Sequence, residues 1–427
     1  MKKKSIAILL SAVLGISMMG CSKQAETAVN NGGTSKEPQT TQETVSPKKV
    51  ELTVWSPSED QDPQYGAWLN TMCERFAAEH PEWDIAFTYG VCTESDAKKL
   101  VPQDIDAAAD VFIFSSTGLE NLASVNSLAQ FGGKYLDAIK ANYPKVLVDS
   151  LTYEDGGVYG VPMTTNTFFM YYDKSVFTEE DVKSLEAMLA KGKVAIPLTD
   201  GFYLSSFYLG AGASFFGVDG TDRSAGINLG DKAVDITHYL VDFVKNPNAV
   251  VATPADALAM MREGNVNAYL CGTWQAAQTK EVLGDNFGIA PLPTINLNGT
   301  EVQMRPFGSS KAIGVKSTTK YPEVAIELAM YLGGYEGQKL HYETRNYVPC
   351  HNELLKDAAI QQDIVVQTDA YTIENIAVPR SNFTEMSYFW GPAESFGTEL
   401  RDGIITHENA KEKTEAFNAS ANSSSVK

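Results

Sequence analysis

This sequence has no Cys-x-x-Cys pair, no short internal repeat, no basic cluster and no apolar run long enough to span a bilayer as a mature helix. Without paired cysteines a structural zinc site has no ligand frame. With 34 Lys and Arg against 53 Asp and Glu, a formal charge of -19, phosphate backbones would be repelled, and nucleic acid is excluded as a partner. A membrane-spanning role for the mature chain is excluded on the length of its apolar runs. Catalytic signatures are also incomplete. Ser317-Thr318-Thr319-Lys320 lacks the Ser-Asp-Asn and Lys-Thr-Gly companions of penicillin-binding enzymes and reads as a helix start. His351-Asn352-Glu353 lacks the second histidine of a zinc helix, and Gly210-Ala211-Gly212 with Gly217 has the wrong spacing for a dinucleotide loop. The chain is therefore expected to be no enzyme and to use neither cofactor nor metal.

What is present begins with an export signal. Lys2, Lys3 and Lys4 form a positive start, and Ser5 to Ser17 is apolar but too short to cross a bilayer as a mature helix. Met18-Met19-Gly20-Cys21 resembles a bacterial lipobox, which implies cleavage of residues 1–20 and a diacylglycerol on the Cys21 sulfur. Each buried acyl methylene contributes about 0.8 kcal/mol, so several chains would hold the protein on the outer face of the cell membrane. Residues 22–47 are rich in Ser, Thr, Gln, Asn, Glu and Gly, too polar to bury a core, so 21–47 is expected to be a lipidated cysteine on a disordered tether. Residues 411–427 drift into Asn and Ser and are expected to be a frayed tail. Cys73, Cys92, Cys271 and Cys350 would permit three disulfide pairings, and nothing in the sequence chooses among them. Cys73 shares a helical face with Leu69, Met72 and Phe76, which favours a buried free thiol there.

Between tether and tail the pattern is that of an α/β protein. Val50-Glu51-Leu52-Thr53-Val54-Trp55 alternates as a strand, Trp68 to Glu79 repeats apolar residues at helical spacing, and Trp83 to Tyr89 gives a second strand. Ala109 to Phe114 is a continuous apolar run, typical of a strand covered on both faces. A second series follows, with strands expected at Thr167–Tyr172, Val194–Leu198 and Gly288–Pro293 and helices at Thr178–Ala190 and Tyr321–Leu332. Strands separated by helices imply parallel sheets, and the length suits two lobes.

Several segments, taken in order, resemble those of the extracellular sugar-binding lipoproteins of bacterial ABC importers, and most closely the maltose and maltodextrin-binding proteins. They are Val54-Trp55, Ala109-Asp110-Val111, Tyr159-Gly160-Val161-Pro162, Tyr171-Tyr172-Asp173-Lys174, Gly272-Thr273-Trp274, Ala290-Pro291-Leu292-Pro293 and Met386-Ser387-Tyr388-Phe389-Trp390. The resemblance, over about residues 48–410, implies a two-lobed periplasmic-binding-protein-like fold of class II with ligand in the interlobe cleft. By position, one lobe would be residues 48–162 with 292–335 and the other 163–291 with 336–410, hinged near Pro162, Pro291 and Gly333-Gly334. It also implies a monomer that carries an oligosaccharide, an α-glucan fragment such as a maltodextrin, to membrane permease subunits.

A pyranose ring shows C–H patches on its faces and hydroxyls around its edge, so its site needs flat apolar platforms beside planar hydrogen-bonding groups. By the resemblance, Trp274 and Trp390 are the stacking platforms, while Tyr203 and Phe114 stand between ligand contact and core. Ser58, Glu59 and Asp60 occupy the family's polar ligand loop, and Asn166 falls where a relative has a carboxylate, its amide still able to donate and accept. Thr117-Gly118 stands where the maltose-binding protein has a charged pair, which leaves sugar, linkage and chain length open. Two other classes compete. A tethered glycoside hydrolase needs two carboxylates at a defined separation, which sequence spacing does not reveal. A surface polysaccharide adhesin needs no hinge.

Overall fold

The alternation read in the first strand is borne out by its burial: Val50, Leu52 and Val54 face a core while Glu51 faces water, in strand β1 (Lys48–Ser56) of the computed structural model, which describes residues 47–423. The signal segment, Cys21 and the expected tether lie outside the described residues. Helix α1 (Trp68–Glu79) buries Trp68, Leu69, Met72, Cys73 and Phe76, the stripe that a 3.6-residue period predicts. Strands β2 (Trp83–Val91) and β3 (Val111–Ser115) run parallel to β1 on either side of it. Strand β4 (Val161–Asn166) completes the first pass of the chain through this lobe.

The chain then crosses at Thr167-Phe168 into a second lobe. There β5 (Phe169–Asp173), β6 (Val194–Ala195), β7 (Ala249–Val250), β8 (Ala268–Cys271) and β9 (Phe287–Ala290) form a sheet in the order β9-β5-β8-β6-β7. Helices α2 (Gly201–Gly210) and α3 (Ala233–Lys245) cover one face. A hairpin of β10 (Thr294–Leu297) and β11 (Thr300–Gln303) follows. Strand β12 (Phe307–Val315) returns to the first lobe, antiparallel to both β3 and β4. Helices α4 (Pro322–Gly333) and α5 (Tyr335–Arg345) pack there against α1. Helix α6 (Ile364–Asn375) and the short strand β13 (Val378–Pro379) lead back across, and α7 (Ser387–Arg401) and α8 (Ala410–Ala421) close the second lobe.

The first crossing falls a few residues after the place the resemblance gives it, while the second and third come much later in the chain, after Met304 and after Ala377, for reasons of packing. Pro162 lies inside β4, paired with Ala312, so the first crossing comes only after Asn166. The hairpin after Pro291 stays with the second lobe because Ile295, Leu297, Val302 and Met304 insert into its core. Gly333-Gly334 joins two helices of one lobe: the Trp68 indole N–H donates to the Gly337 carbonyl at 2.7 Å, fixing α5 beside α1. The expected frayed tail from Lys411 is instead helix α8 as far as Ala421. Its Ala410, Thr414, Phe417 and Ala421 recur at helical spacing on one buried face, and only Phe417 among them is large enough to be read as core. Thr414 joins a buried hydroxyl chain through Thr237 (2.6 Å) to Tyr208. All four described cysteines are buried and free, which resolves the open pairing in favour of thiols.

Candidate functional site

Strand β8 ends at Cys271, and Gly272 turns the chain so that Trp274 stands at the start of the next helical segment with half its surface exposed. A half-exposed indole offers a flat apolar face to whatever lies beside it, the requirement of a stacking platform. Gly272 makes it possible: a Cβ there would lie 2.0 Å from the Trp274 ring and 2.6 Å from the Thr167 carbonyl, while the Tyr171 hydroxyl donates to the Gly272 carbonyl at 3.0 Å. Gly272→Ala should displace the indole and press on the Thr167 carbonyl, weakening ligand binding about tenfold and lowering the melting temperature by a few degrees, checked by calorimetry beside thermal unfolding.

Trp274 borders a depression of about 510 Å³ between the lobes. Its other wall comes from the first lobe: Thr164, Thr165 and Asn166 at the end of β4, Lys311 on β12, and Tyr342, Arg345 and Tyr347 from α5 and the segment after it. Asn166 donates its amide N–H to the Ser309 hydroxyl at 3.1 Å. The Lys311 ammonium donates to Glu94 at 2.6 Å and lies 4.8 Å over the Tyr347 ring. Burial pulls that ammonium down, but Glu94 and the Tyr347 phenol together hold it above the ordinary lysine value. These groups set flat rings beside planar and charged hydrogen-bonding groups, the combination a pyranose requires.

Of the residues chosen from sequence, the depression brings together Trp274 and Asn166. Phe114 is fully buried in the first lobe, its ring filling the space left by Gly160 and Gly314. Tyr203 is 3% exposed and packs 4.6 Å from Phe168 in the second core. Neither is a platform. Trp390 is half-buried against the same core, over Gly201, with the Arg380 guanidinium 4.7 Å from its ring. Burial pulls Arg380 down to about 10 against the opposing pull of Asp200. Arg380 lines a separate, smaller depression with Thr117 and Lys98.

The Ser58-Glu59-Asp60 loop divides. Ser58 and Glu59 are exposed and bonded to each other at 3.1 Å, outside the Trp274 depression. Asp60 is buried, accepting from His341 Nε2 at 3.0 Å and Arg345 Nε at 3.2 Å, so its carboxylate is occupied by the protein itself. Sequence reasoning missed Arg345, Tyr347 and Lys311. A usable signal was Asn346, whose left-handed conformation (φ 54°) stops α5 and exposes the next aromatic, since asparagine tolerates that region better than most residues.

Comparison with known proteins follows the same lines. A family model described as bacterial extracellular solute-binding protein matches residues 71–368. The maltodextrin-binding protein MdxE of Bacillus subtilis (strain 168) is 28% identical over 450 residues, covering 96% of this chain and 98% of that protein. A solved structure described as being with acarbose aligns with a TM-score of 0.76 at 42% identity, covering 88% of this chain and 99% of that one. The maltodextrin binding protein MalE1 from L. casei BL23, without ligand, aligns with a TM-score of 0.80 at 23% identity, over 88% and 99% of the two chains.

Proposed function

Because the chain belongs to the family of bacterial extracellular solute-binding proteins, we propose that it captures an oligosaccharide of the maltodextrin type between its lobes and delivers it, unaltered, to the permease subunits of an ABC importer. The observation that carries this reading is the half-exposed indole of Trp274 lining one interlobe depression with Tyr347, Arg345 and Asn166. Stacking on one such ring covers about 100 Å² of sugar face, on the order of 2.5 kcal/mol before ordering costs. Two platforms with a few hydrogen bonds would reach micromolar affinity. The maltodextrin named for the Bacillus subtilis relative and the acarbose in the 42% identical structure support an α-glucan over other sugars.

Calorimetric titration with maltose through maltoheptaose, beside cellobiose-type and galactose-based oligosaccharides, tests the assignment. Micromolar binding that strengthens from maltose to longer α-glucans is expected, and heat from the other sugars alone would refute it. Release of reducing ends from maltodextrins would turn the reading towards a hydrolase.

The anchor is part of the same proposal. Cys21, following its apolar segment, would carry lipid and keep the folded part at the membrane near the permease. Cys21→Ser is expected to move the protein from the membrane fraction into the medium of a Gram-positive host. Retention in the membrane would contradict it.

A further inference from the structure

An arginine in a site for a neutral sugar contributes only if some of its N–H groups are left over for the ligand. Arg345, at the C-terminal end of α5 and lining the Trp274 depression, meets that condition. Its Nε donates to Asp60 at 3.2 Å, and no hydrogen bond among the described residues takes up Nη1 or Nη2. The guanidinium carbon lies 5.4 Å from the Tyr65 ring centre and 5.5 Å from that of Tyr347, so rings restrict its plane.

The anchor of this arginine is built deep in the first lobe. Asp60 and His341 are each about 1% exposed, and His341 Nε2 lies 3.0 Å from the same Asp60 oxygen that Arg345 uses. Burial holds His341 below the ordinary histidine value against the pull of Asp60, and its Nε2 is aimed at the Asp60 carboxylate. That ring is stacked between Trp68, at 4.3 Å and 21°, and Tyr347, at 4.2 Å and 14°. One immobile stack thus backs the Tyr347 ring, and its carboxylate sets the direction of the guanidinium.

Resting on the oligosaccharide reading, we infer that Arg345 is a ligand contact and Asp60 its positioning residue. The free fork of Nη1–H and Nη2–H forms paired hydrogen bonds to two adjacent ring hydroxyls of the sugar lying against Trp274. Arginine suits this because its fork is rigid and planar, whereas lysine offers one point charge. A single mobile donor would not discriminate the spacing of a vicinal diol. The site therefore selects hydroxyl stereochemistry from the first lobe while Trp274 supplies unselective stacking from the second.

The test is calorimetry of the folded full-length chain with maltotriose and with a panel of monodeoxy maltosides, on wild type, Arg345→Ala, Arg345→Lys, Asp60→Asn and Asp60→Asn/Arg345→Ala, with melting curves for each. Arg345→Ala should bind maltotriose about tenfold more weakly, and Arg345→Lys nearly as weakly despite keeping its charge. One or two deoxy positions that weaken wild-type binding should cost nothing in Arg345→Ala. Asp60→Asn should lose about fivefold, and the double variant no more than Arg345→Ala alone, which a merely structural role for Asp60 would not produce. Wild-type binding that Arg345→Ala and Arg345→Lys leave unchanged, or deoxy penalties identical in all variants, would overturn the inference alone. A wild type that binds no α-glucan would overturn the parent reading and this with it.

Discussion

Trp274→Ala should weaken binding of maltodextrins by roughly 2 to 3 kcal/mol, about 30- to 150-fold in dissociation constant, while leaving the melting temperature within a degree or two of wild type. The two halves of this expectation have one cause. The indole is 50% exposed and rests on Gly272 and the surface of its own lobe, so truncation removes surface from the cleft without hollowing the core. With ligand present, the lost contact is one face of a sugar ring. Trp390→Ala provides the contrast. That side chain packs beside Phe389 and over Gly201 in the second core and carries Arg380 on its ring, so its loss should lower stability along with any effect on affinity. Calorimetry and thermal unfolding on both variants separate these cases. A folded Trp274→Ala protein with wild-type affinity would remove the central platform from the proposal.

The elements that sequence made legible are those whose pattern is local. Period two along Val50–Val54 and period 3.6 along Trp68–Glu79 each bury the predicted face, and the apolar run into Phe114 is buried throughout. That last pattern also shows why Phe114 failed as a ligand residue. A strand covered on both faces has no face left for a cleft, and the flanking glycines Gly160 and Gly314 leave room for the ring inside. Trp274 was legible only through the resemblance of Gly272-Thr273-Trp274 to the family's segment, and its ring stands half exposed. Asp60 was not, because what occupies its carboxylate lies 281 and 285 residues away in the chain, and no local spacing encodes such a pairing. Arg345 and Tyr347 were hidden for the same reason. Their importance appears only when α5 is laid beside α1 and the first lobe meets the second.

A larger effect is expected from a residue that no sequence pattern marks. Asp369, on α6, is fully buried against the segment by which the chain first crosses between lobes, and neither carboxylate oxygen has a hydrogen-bond partner among the described residues. The Thr165 and Thr167 hydroxyls of that segment are buried and unpartnered as well. Tyr171 and Cys350 are the titratable groups that sense the carboxyl, and a phenol and a thiol ionise only to anions, so neither supplies a charge of opposite sign. Burial pushes the Asp369 carboxyl up to about 7, with the nearby Thr165 hydroxyl pulling weakly the other way. In the folded protein it therefore keeps its proton until neutral pH, whereas in the unfolded chain it loses it near pH 4. Between those limits the native state holds one more proton than the unfolded state, so stability falls as pH rises. The contribution is fully present below about pH 4, declines by about 1.4 kcal/mol per pH unit, and has cost roughly 4 kcal/mol by pH 7, above which it changes no further. Asp369→Asn keeps the shape and stays neutral throughout, so it should match wild type near pH 4 and exceed it by several kcal/mol at pH 8. Urea unfolding of both proteins at intervals from pH 4 to 8 measures the difference, and the comparison cancels every other titrating group. Parallel curves across that range would mean that Asp369 titrates in the folded protein as it does in the unfolded chain, and that the crossing segment holds its charge at no cost.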